Sequence, residues 1–438
     1  MITRIKKLAS RLLPSNQYAR SVSILAGGTI TSQLLTIVAT PFLSRLYTPA
    51  DYGLLALFMA LSGILATIIT LQYETAVLLP KKEGDAIALV VLSIVVAIVI
   101  GLFFSVLAWI IYLIIRNIKV IPSPSAWLFV TILTAIGGSI IATTIGWLNR
   151  KCAYKKITQV RIGQAVASVI ISILLGWIGI SSGLIIAQII GVLVGLLLIS
   201  FQLMPLLKGG VGVSLHVLFK VASEHQAAPK YLLPTALLDV VTLQLPIFFI
   251  SAWFSTETAG QFSLAWRLLA LPITLIGSAV GQVFFQRFAQ AWPDVIEARN
   301  LLFKTWVSLS LVGILPMLFV MIYGDIFFII LFGDAWVESG VIASVIAPMV
   351  FAMLISSPTS SIFLVLGLQK YSLFFGLSVL IYRSGSLYFG IIVNNLYLGL
   401  TIWVILEILQ IILFNLMALR RMNKPEMASF FSLKGQNE

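Results

Sequence analysis

Residues 86–115 read AIALVVLSIVVAIVIGLFFSVLAWIIYLII, thirty consecutive positions without a charge, with Lys81 and Lys82 upstream and Arg116 directly after. A helix rises 1.5 Å per residue, so about 20 apolar residues cross the roughly 30 Å hydrocarbon core of a bilayer. This run is long enough to span with tilt to spare. Working outward from it, eleven more apolar runs appear, at roughly 22–46, 53–79, 126–148, 158–178, 183–204, 231–253, 260–285, 305–333, 340–366, 371–393 and 396–419. The run 305–333 carries Gly324 and Asp325, so its end is expected to form a short surface helix beyond the span proper.

Composition extends the reading to all 438 residues. The chain is 60% hydrophobic and 10% charged, with a mean hydropathy of +1.08; soluble domains are about 45–50% apolar and about 25% charged. No aqueous core hides that much apolar surface, which excludes a soluble enzyme. Twelve spans also leave no room for a large extramembrane domain. Cys152 is the only cysteine, and His216 and His225 are the only histidines. A disulfide framework, a His/Cys metal cage and a Cys–His catalytic pair therefore lack their parts. No metal and no organic cofactor is expected.

The position of the charge fixes orientation. Of 28 Lys and Arg, 22 fall on one side: the segment before residue 21, the connections near 81, 150, 220, 290 and 370, and the tail after 419. Only Arg45, Arg116 and Lys119 fall on the other side, and Arg161, Arg267 and Arg383 lie within spans. That asymmetry predicts cytoplasmic termini at both ends of a multi-pass protein. The net charge of +13 is thus spread over loops rather than gathered in one patch, and no nucleic-acid partner is expected. The first span is too long for the apolar core of a cleavable signal. Residues 2–13 place Ile2, Ile5, Leu8, Leu12 and Leu13 on one face, which predicts a short helix on the cytoplasmic leaflet.

Shifting the second half onto the first by 207 residues aligns Leu43-Ser44 with Ile250-Ser251, Tyr47-Thr48 with Phe254-Ser255, Gly53 with Gly260 and Leu57 with Leu264. Each match falls at the turn between the first and second span of its half. Six spans per half is an even number, so the halves relate by an axis along the membrane normal, and a substrate is expected between them near the midplane. The expected organisation is a cytoplasmic amphipathic segment at 1–20, an N-terminal six-helix lobe at 21–204 and a cytoplasmic inter-lobe loop at 205–230. A C-terminal six-helix lobe follows at 231–419, with a cytoplasmic tail at 420–438.

Several segments, in order along most of the chain, resemble the polysaccharide-exporter branch of the multidrug/oligosaccharidyl-lipid/polysaccharide exporter (MOP) superfamily, the Wzx-type oligosaccharide flippases. They are Arg45-Leu-Tyr-Thr-Pro-Ala-Asp-Tyr-Gly53, Tyr73-Glu-Thr-Ala-Val-Leu-Leu-Pro80, Pro229-Lys-Tyr-Leu-Leu-Pro234 and Ala259-Gly-Gln-Phe-Ser-Leu-Ala-Trp-Arg267. Further on come Leu271-Pro-Ile-Thr-Leu-Ile-Gly-Ser278, Gln282-Val-Phe-Phe-Gln-Arg287, Leu331-Phe-Gly-Asp-Ala-Trp336 and the stretch from Ser356 to Gly367. The resemblance implies an all-α, MATE-like fold of two six-helix lobes around a central cavity that opens alternately to each side of the inner membrane. It implies a lipid-linked oligosaccharide on undecaprenyl diphosphate as substrate, turned from the cytoplasmic to the periplasmic leaflet for O-antigen or exopolysaccharide assembly. A polysaccharide polymerase or other assembly protein is an implied partner beside the membrane lipids.

Ionisable groups inside spans are costly and mark pathways or pairs. Arg267 lies inside span eight and within a recognised motif. Arginine offers forked donors that match a diphosphate, so it is the first candidate for substrate binding, against snorkelling or a carboxylate partner. Arg45 and Arg161 are further candidates, each with an interfacial alternative. Gln33 and Gln244 occupy equivalent depths of the two halves and suit sugar hydroxyls or interhelical hydrogen bonds. Arg383 and Glu407 lie at similar depths on consecutive antiparallel spans, which predicts a structural ion pair. Asp239 and Glu74 are candidates for H⁺ or Na⁺ coupling; their alternatives are a cavity cation for Asp239 and an interfacial site near Lys81 and Lys82 for Glu74. Gly27-Gly28 and Gly137-Gly138 are read as helix-packing positions, and Pro272 and Pro316 as kinks. A cation-coupled multidrug exporter of the same superfamily is the nearest rival, although in-span Arg is at least as frequent as Asp and Glu. A membrane enzyme of polysaccharide assembly is the rival from another class; it lacks the large periplasmic loop and the aspartate-rich nucleotide-sugar motif.

Overall fold

The computed structural model describes residues 17–115, 125–209, 214–292, 294–368 and 371–422. The expected leaflet helix at 2–13 and the tail beyond residue 422 lie outside the described residues. The described chain is nearly all helix, with no strand. In order come α1 (Gln17–Leu46), α2 (Pro49–Ile69), α3 (Tyr73–Ala76), α4 (Glu83–Ile115), α5 (Ser125–Arg150), α6 (Tyr154–Trp177), α7 (Gly183–Gly209) and α8 (Leu215–Glu224). A π-helical turn (Ala228–Leu232) leads into α9 (Leu233–Trp253), followed by α10 (Thr256–Leu269), α11 (Leu271–Ala291), α12 (Val295–Phe332) and α13 (Val337–Ser356). The short α14 (Ile362–Val365), then α15 (Ser372–Ile392) and α16 (Leu396–Met422), complete it.

Eleven stretches of the described residues are long and apolar enough to cross a membrane. The expected span 22–46 lies within α1, a helix of 30 residues. Thr29, Ser32, Gln33, Thr36, Thr40 and Ser44 recur along it at helical spacing. Most of these hydroxyls are satisfied locally: Ser32 donates to the Thr29 carbonyl (2.9 Å), Thr36 to Ser32 (3.0 Å), Thr40 to Thr36 (2.8 Å) and Ser44 to Pro41 (3.1 Å). Back-bonding of this kind lets a polar helix cross hydrocarbon without orphaned donors.

Three expected spans end differently. The run 53–79 begins earlier, at Pro49, and stops at Ile69, because Leu71 and Gln72 take left-handed backbone (φ 48° and 62°). The run 260–285 breaks at Ala270, and Pro272 sits in the first turn of α11, where its missing N–H costs nothing. The run 305–333 forms one long element whose only non-helical residue is Tyr323 (φ −120°), so the break falls seven residues after Pro316 rather than at it.

The fold divides into two compact units. One holds the described chain to Tyr47 together with Leu57–Val241; the other holds Thr48–Ala56 and the described chain from Thr242 onward. In the first unit α1 packs on α6, α6 on α7 and α4 on α5. Gly28 abuts Thr158, and Gly137 abuts Val192, so one glycine of each Gly-Gly pair makes a close helix approach. The amphipathic α8 belongs here too: Val221 is buried against α4, and the Tyr73 hydroxyl donates to the Ala222 carbonyl (3.5 Å).

In the second unit α12 packs on α13, α15 on α16, and α13 on both α10 and α16. At its edge the start of α2 crosses the start of α10. A Cβ built on Gly53 would collide with the Thr256 carbonyl, and one built on Gly260 with the Pro49 carbonyl. Pro49 and Thr256, like Gly53 and Gly260, are matched by the 207-residue shift. The contact therefore maps onto itself when the two glycines are exchanged. Both helix starts are capped: Thr48 N–H and hydroxyl donate to Asp51 (2.9 and 2.8 Å), and Thr258 N–H donates to the Ser255 hydroxyl (2.9 Å).

Candidate functional site

In the first unit, polar groups gather where α1 meets α6. Arg161 of α6 is half-buried and donates to the Thr29 hydroxyl. Gln33 lies one turn further along α1, and its Oε1 is buried with no hydrogen-bond partner. On this interhelical seam the guanidinium can donate to an anion, and the free amide oxygen can accept from a hydroxyl. Arg45, at the end of α1, is exposed and donates to the Pro41 carbonyl (3.1 Å), away from that seam along the helix. Asp239 is exposed on α9.

Glu74 sits on the four-residue α3, outside the candidate spans, with Oε2 buried and unpartnered. Burial pushes its carboxyl above the usual carboxylate range, and a hydrogen bond from Thr70 partly offsets this. The turn that carries it is held by Arg150, which donates to the Leu78 carbonyl (3.3 Å). Lys151 instead pairs with Glu83 (2.5 Å).

The second unit brings Arg383 and Glu407 together. The guanidinium forks onto the carboxylate, Nε to Oε2 at 3.0 Å and Nη2 to Oε1 at 2.8 Å, with both side chains nearly inaccessible. Arg383 also donates to the Thr242 carbonyl (3.3 Å), tying α15 to α9. The Trp403 indole N–H donates to Glu407 (2.8 Å), and the Arg383 guanidinium lies over the Trp403 ring (5.2 Å). Trp403 in turn stacks on Trp266, with ring centroids 6.3 Å apart. Glu407 also borders a cavity of about 190 Å³ shared with Ser356, Gln410 and Phe414, and the Gln410 Oε1 is unpartnered.

The residue after Trp266 is Arg267, whose side chain is exposed. Among the described residues no carboxylate lies within ion-pair distance of it. Its helix is anchored one and a half turns earlier by Gln261. That buried amide donates to the Ala335 carbonyl (2.7 Å) and accepts from the Ser339 N–H (3.0 Å) on α13. The ion pair, the tryptophan stack and the Gln261 anchor thus fix α10 while leaving Arg267 available to an anion. Gln244 is half-buried on α9 in the same unit. Trp266, Trp403 and Gln261 were not singled out from the sequence. Glu407 and Trp403 sit at i and i−4, which was the available signal for that pair. Among the described residues no cluster of three metal-ligating side chains occurs.

These features define a polytopic, all-helical membrane protein with a MATE-like fold. The structure is similar to an inward-facing multidrug resistance MATE family transporter of the MOP superfamily (TM-score 0.68, 15% identity, covering 89% of this chain and 94% of that one). It is also similar to an outward-facing transporter of the same description (0.57, 16%, 92% and 95%). A MOP superfamily transporter from Pyrococcus furiosus, described by a reversed polarity of its binding pocket, matches as well (0.54, 16%, 92% and 94%). At these identities the likeness is one of fold. No curated protein matches the chain significantly. The model of the polysaccharide biosynthesis protein family matches residues 42–341, and the chain belongs to that family.

Proposed function

We propose that the protein is a flippase that moves a polyprenyl-diphosphate-linked oligosaccharide from the cytoplasmic to the periplasmic leaflet of the inner membrane, by alternating access and without catalysing a reaction. The observation that carries this reading is Arg267. It is an exposed cation inside an apolar helix of a polysaccharide biosynthesis protein, with no carboxylate in range among the described residues, on a helix that two buried networks hold still. A diphosphate is the anion that such a chain would meet in this chemistry, and arginine binds it through paired donors. Arg161 and Arg45 would assist, and Gln33 and Gln244 would take sugar hydroxyls, which cannot cross hydrocarbon unpaired. Asp239 and Glu74 are proposed for H⁺ or Na⁺ coupling; the raised affinity of Glu74 for a proton favours H⁺ there. No further cofactor is needed. A polymerase or other assembly protein is the proposed partner for the product.

The test is a deletion strain scored for lipid-linked oligosaccharide by leaflet, complemented with wild type or Arg267→Ala at matched membrane levels. The reading expects intermediate on the cytoplasmic leaflet and no rescue by Arg267→Ala. Intact polysaccharide with new sensitivity to cationic drugs would replace it with the multidrug-exporter reading, which the fold likeness alone supports.

A further inference from the structure

The seam between α1 and α6 in the first unit carries a cation that its own helices leave largely unpaired. Thr158 of α6 lies against Gly28 of α1, and Arg161, almost one turn further along α6, donates to the Thr29 hydroxyl. Arginine has five N–H donors. Among the described residues no carboxylate is within ion-pair range of Arg161, and Thr29 is the one group it bonds. Gln33 stands one turn beyond Thr29 on the same face of α1, half-buried, with its Oε1 buried and unpartnered. A buried acceptor left unmade is costly. The seam therefore holds a group that seeks an anion and a group that seeks a donor, four residues apart along α1, or about 6 Å.

A glycosyl phosphate presents those two complements in one piece. Its phosphate oxygens accept from a guanidinium, and the sugar ring carries hydroxyl donors a ring's width away, comparable with one helical turn. A bare diphosphate offers the anion without the hydroxyl. Phosphatidylglycerol offers both, but on a flexible arm. Depth adds a direction. Arg161 lies seven residues, about 10 Å, from the Tyr154 end of α6, the end that the charge count puts on the cytoplasmic side. Gln33 lies further along α1 from its Gln17 end than Thr29 does. A glycosyl diphosphate arriving from the cytoplasmic leaflet meets the guanidinium with its phosphate and the amide with its sugar.

Resting on the flippase reading, we propose that this seam is the loading station of the cycle: Arg161 takes the diphosphate, and Gln33 takes a hydroxyl of the sugar bonded to it. The consequence is selectivity. A carrier lipid without its sugar satisfies Arg161 and leaves Gln33 unpaired, and a site built to hydrogen-bond a hydroxyl discriminates against the analogue that lacks it. The protein thereby tells a loaded carrier from an empty one at the point of entry.

The test uses full-length Arg267→Ala protein in nanodiscs, so that the seam is read without that other cation. Two probes share one short isoprenyl chain: the bare diphosphate, and the same diphosphate carrying one glucosyl or galactosyl residue. The glycosyl probe is expected to bind about tenfold more tightly. Adding Gln33→Ala is expected to abolish that preference while keeping the affinity for the bare probe, which also certifies folding. Adding Arg161→Ala is expected to weaken both probes about tenfold or more, and Arg161→Lys to keep part of the binding. These ratios should be the same in discs with and without phosphatidylglycerol. Equal affinity for the two probes, or a preference that survives Gln33→Ala, would overturn the proposal. An Arg161→Ala effect that vanishes when phosphatidylglycerol is present would assign the guanidinium to that headgroup and overturn it too. So would loss of all binding in the Arg267→Ala protein when wild type binds. Wild-type protein that binds neither probe would overturn the flippase reading itself, and the two failures are thereby distinct.

Discussion

The Arg383–Glu407 pair, closed at 2.8 Å and buried with Trp403, sets an expectation at the level of single residues. Removing one partner strands a charge, so Glu407→Ala and Arg383→Ala should each cost about 3–5 kcal/mol. Replacing both with Leu and Met should recover most of that loss, and thermal unfolding in detergent checks it; equal losses in single and double variants would contradict the pairing. Glu74 behaves differently. Burial raises its carboxyl pKa in the folded protein, so the folded state holds the proton more tightly than the unfolded chain does. Stability then falls as pH rises from the ordinary carboxylate range through the raised folded value. Melting at about pH 5 and about pH 8 should show a smaller difference for Glu74→Gln than for wild type. The pair was legible in the sequence because consecutive antiparallel helices put two opposite charges at one depth. The stack of Trp266 on Trp403 was not, because nothing in the spacing along α10 or α16 says which helix will face which.

Among the elements, the reciprocal crossing of α2 and α10 carries the clearest consequence. Gly53 and Gly260 each press their backbone onto a carbonyl of the other helix, a close approach that only small residues permit. Gly53→Ala and Gly260→Ala should each destabilise by about 1–3 kcal/mol through overpacking. Gly27→Ala and Gly138→Ala, where an added Cβ meets nothing within 4 Å, serve as controls and should be neutral or slightly stabilising. Equal effects at all four positions would contradict the crossing. Run lengths made most helices legible, since a bilayer demands a minimum apolar length. The break at Tyr323 falls beside Gly324 and Asp325, and the break at Ala270 two residues before Pro272, so both lie next to residues that marked them in the sequence; Pro316, also read as a kink, stays within regular helix. In α1 length and position marked the span, and its hydroxyls bond back to carbonyls of the same helix without breaking it.

At the scale of the whole molecule, composition and the positive-inside count led to a polytopic helical protein, and the fold and the polysaccharide biosynthesis family membership agree with that class. The transported species was less legible, because charge inside a span marks a pathway or a pair without naming the ligand. Arg267 was found by its motif and its depth. What sets it apart from Arg383 is that no carboxylate among the described residues is in ion-pair range, and only the packed structure supplies that. The most direct measurement is reconstitution of the purified protein into liposomes with a fluorescent polyprenyl-diphosphate oligosaccharide, following its accessibility to an external quencher. Wild type should equilibrate the lipid between leaflets, Arg267→Ala should fall at least about tenfold in rate, and Arg267→Lys should retain part of it. Equilibration by Arg267→Ala at the wild-type rate would contradict the central claim.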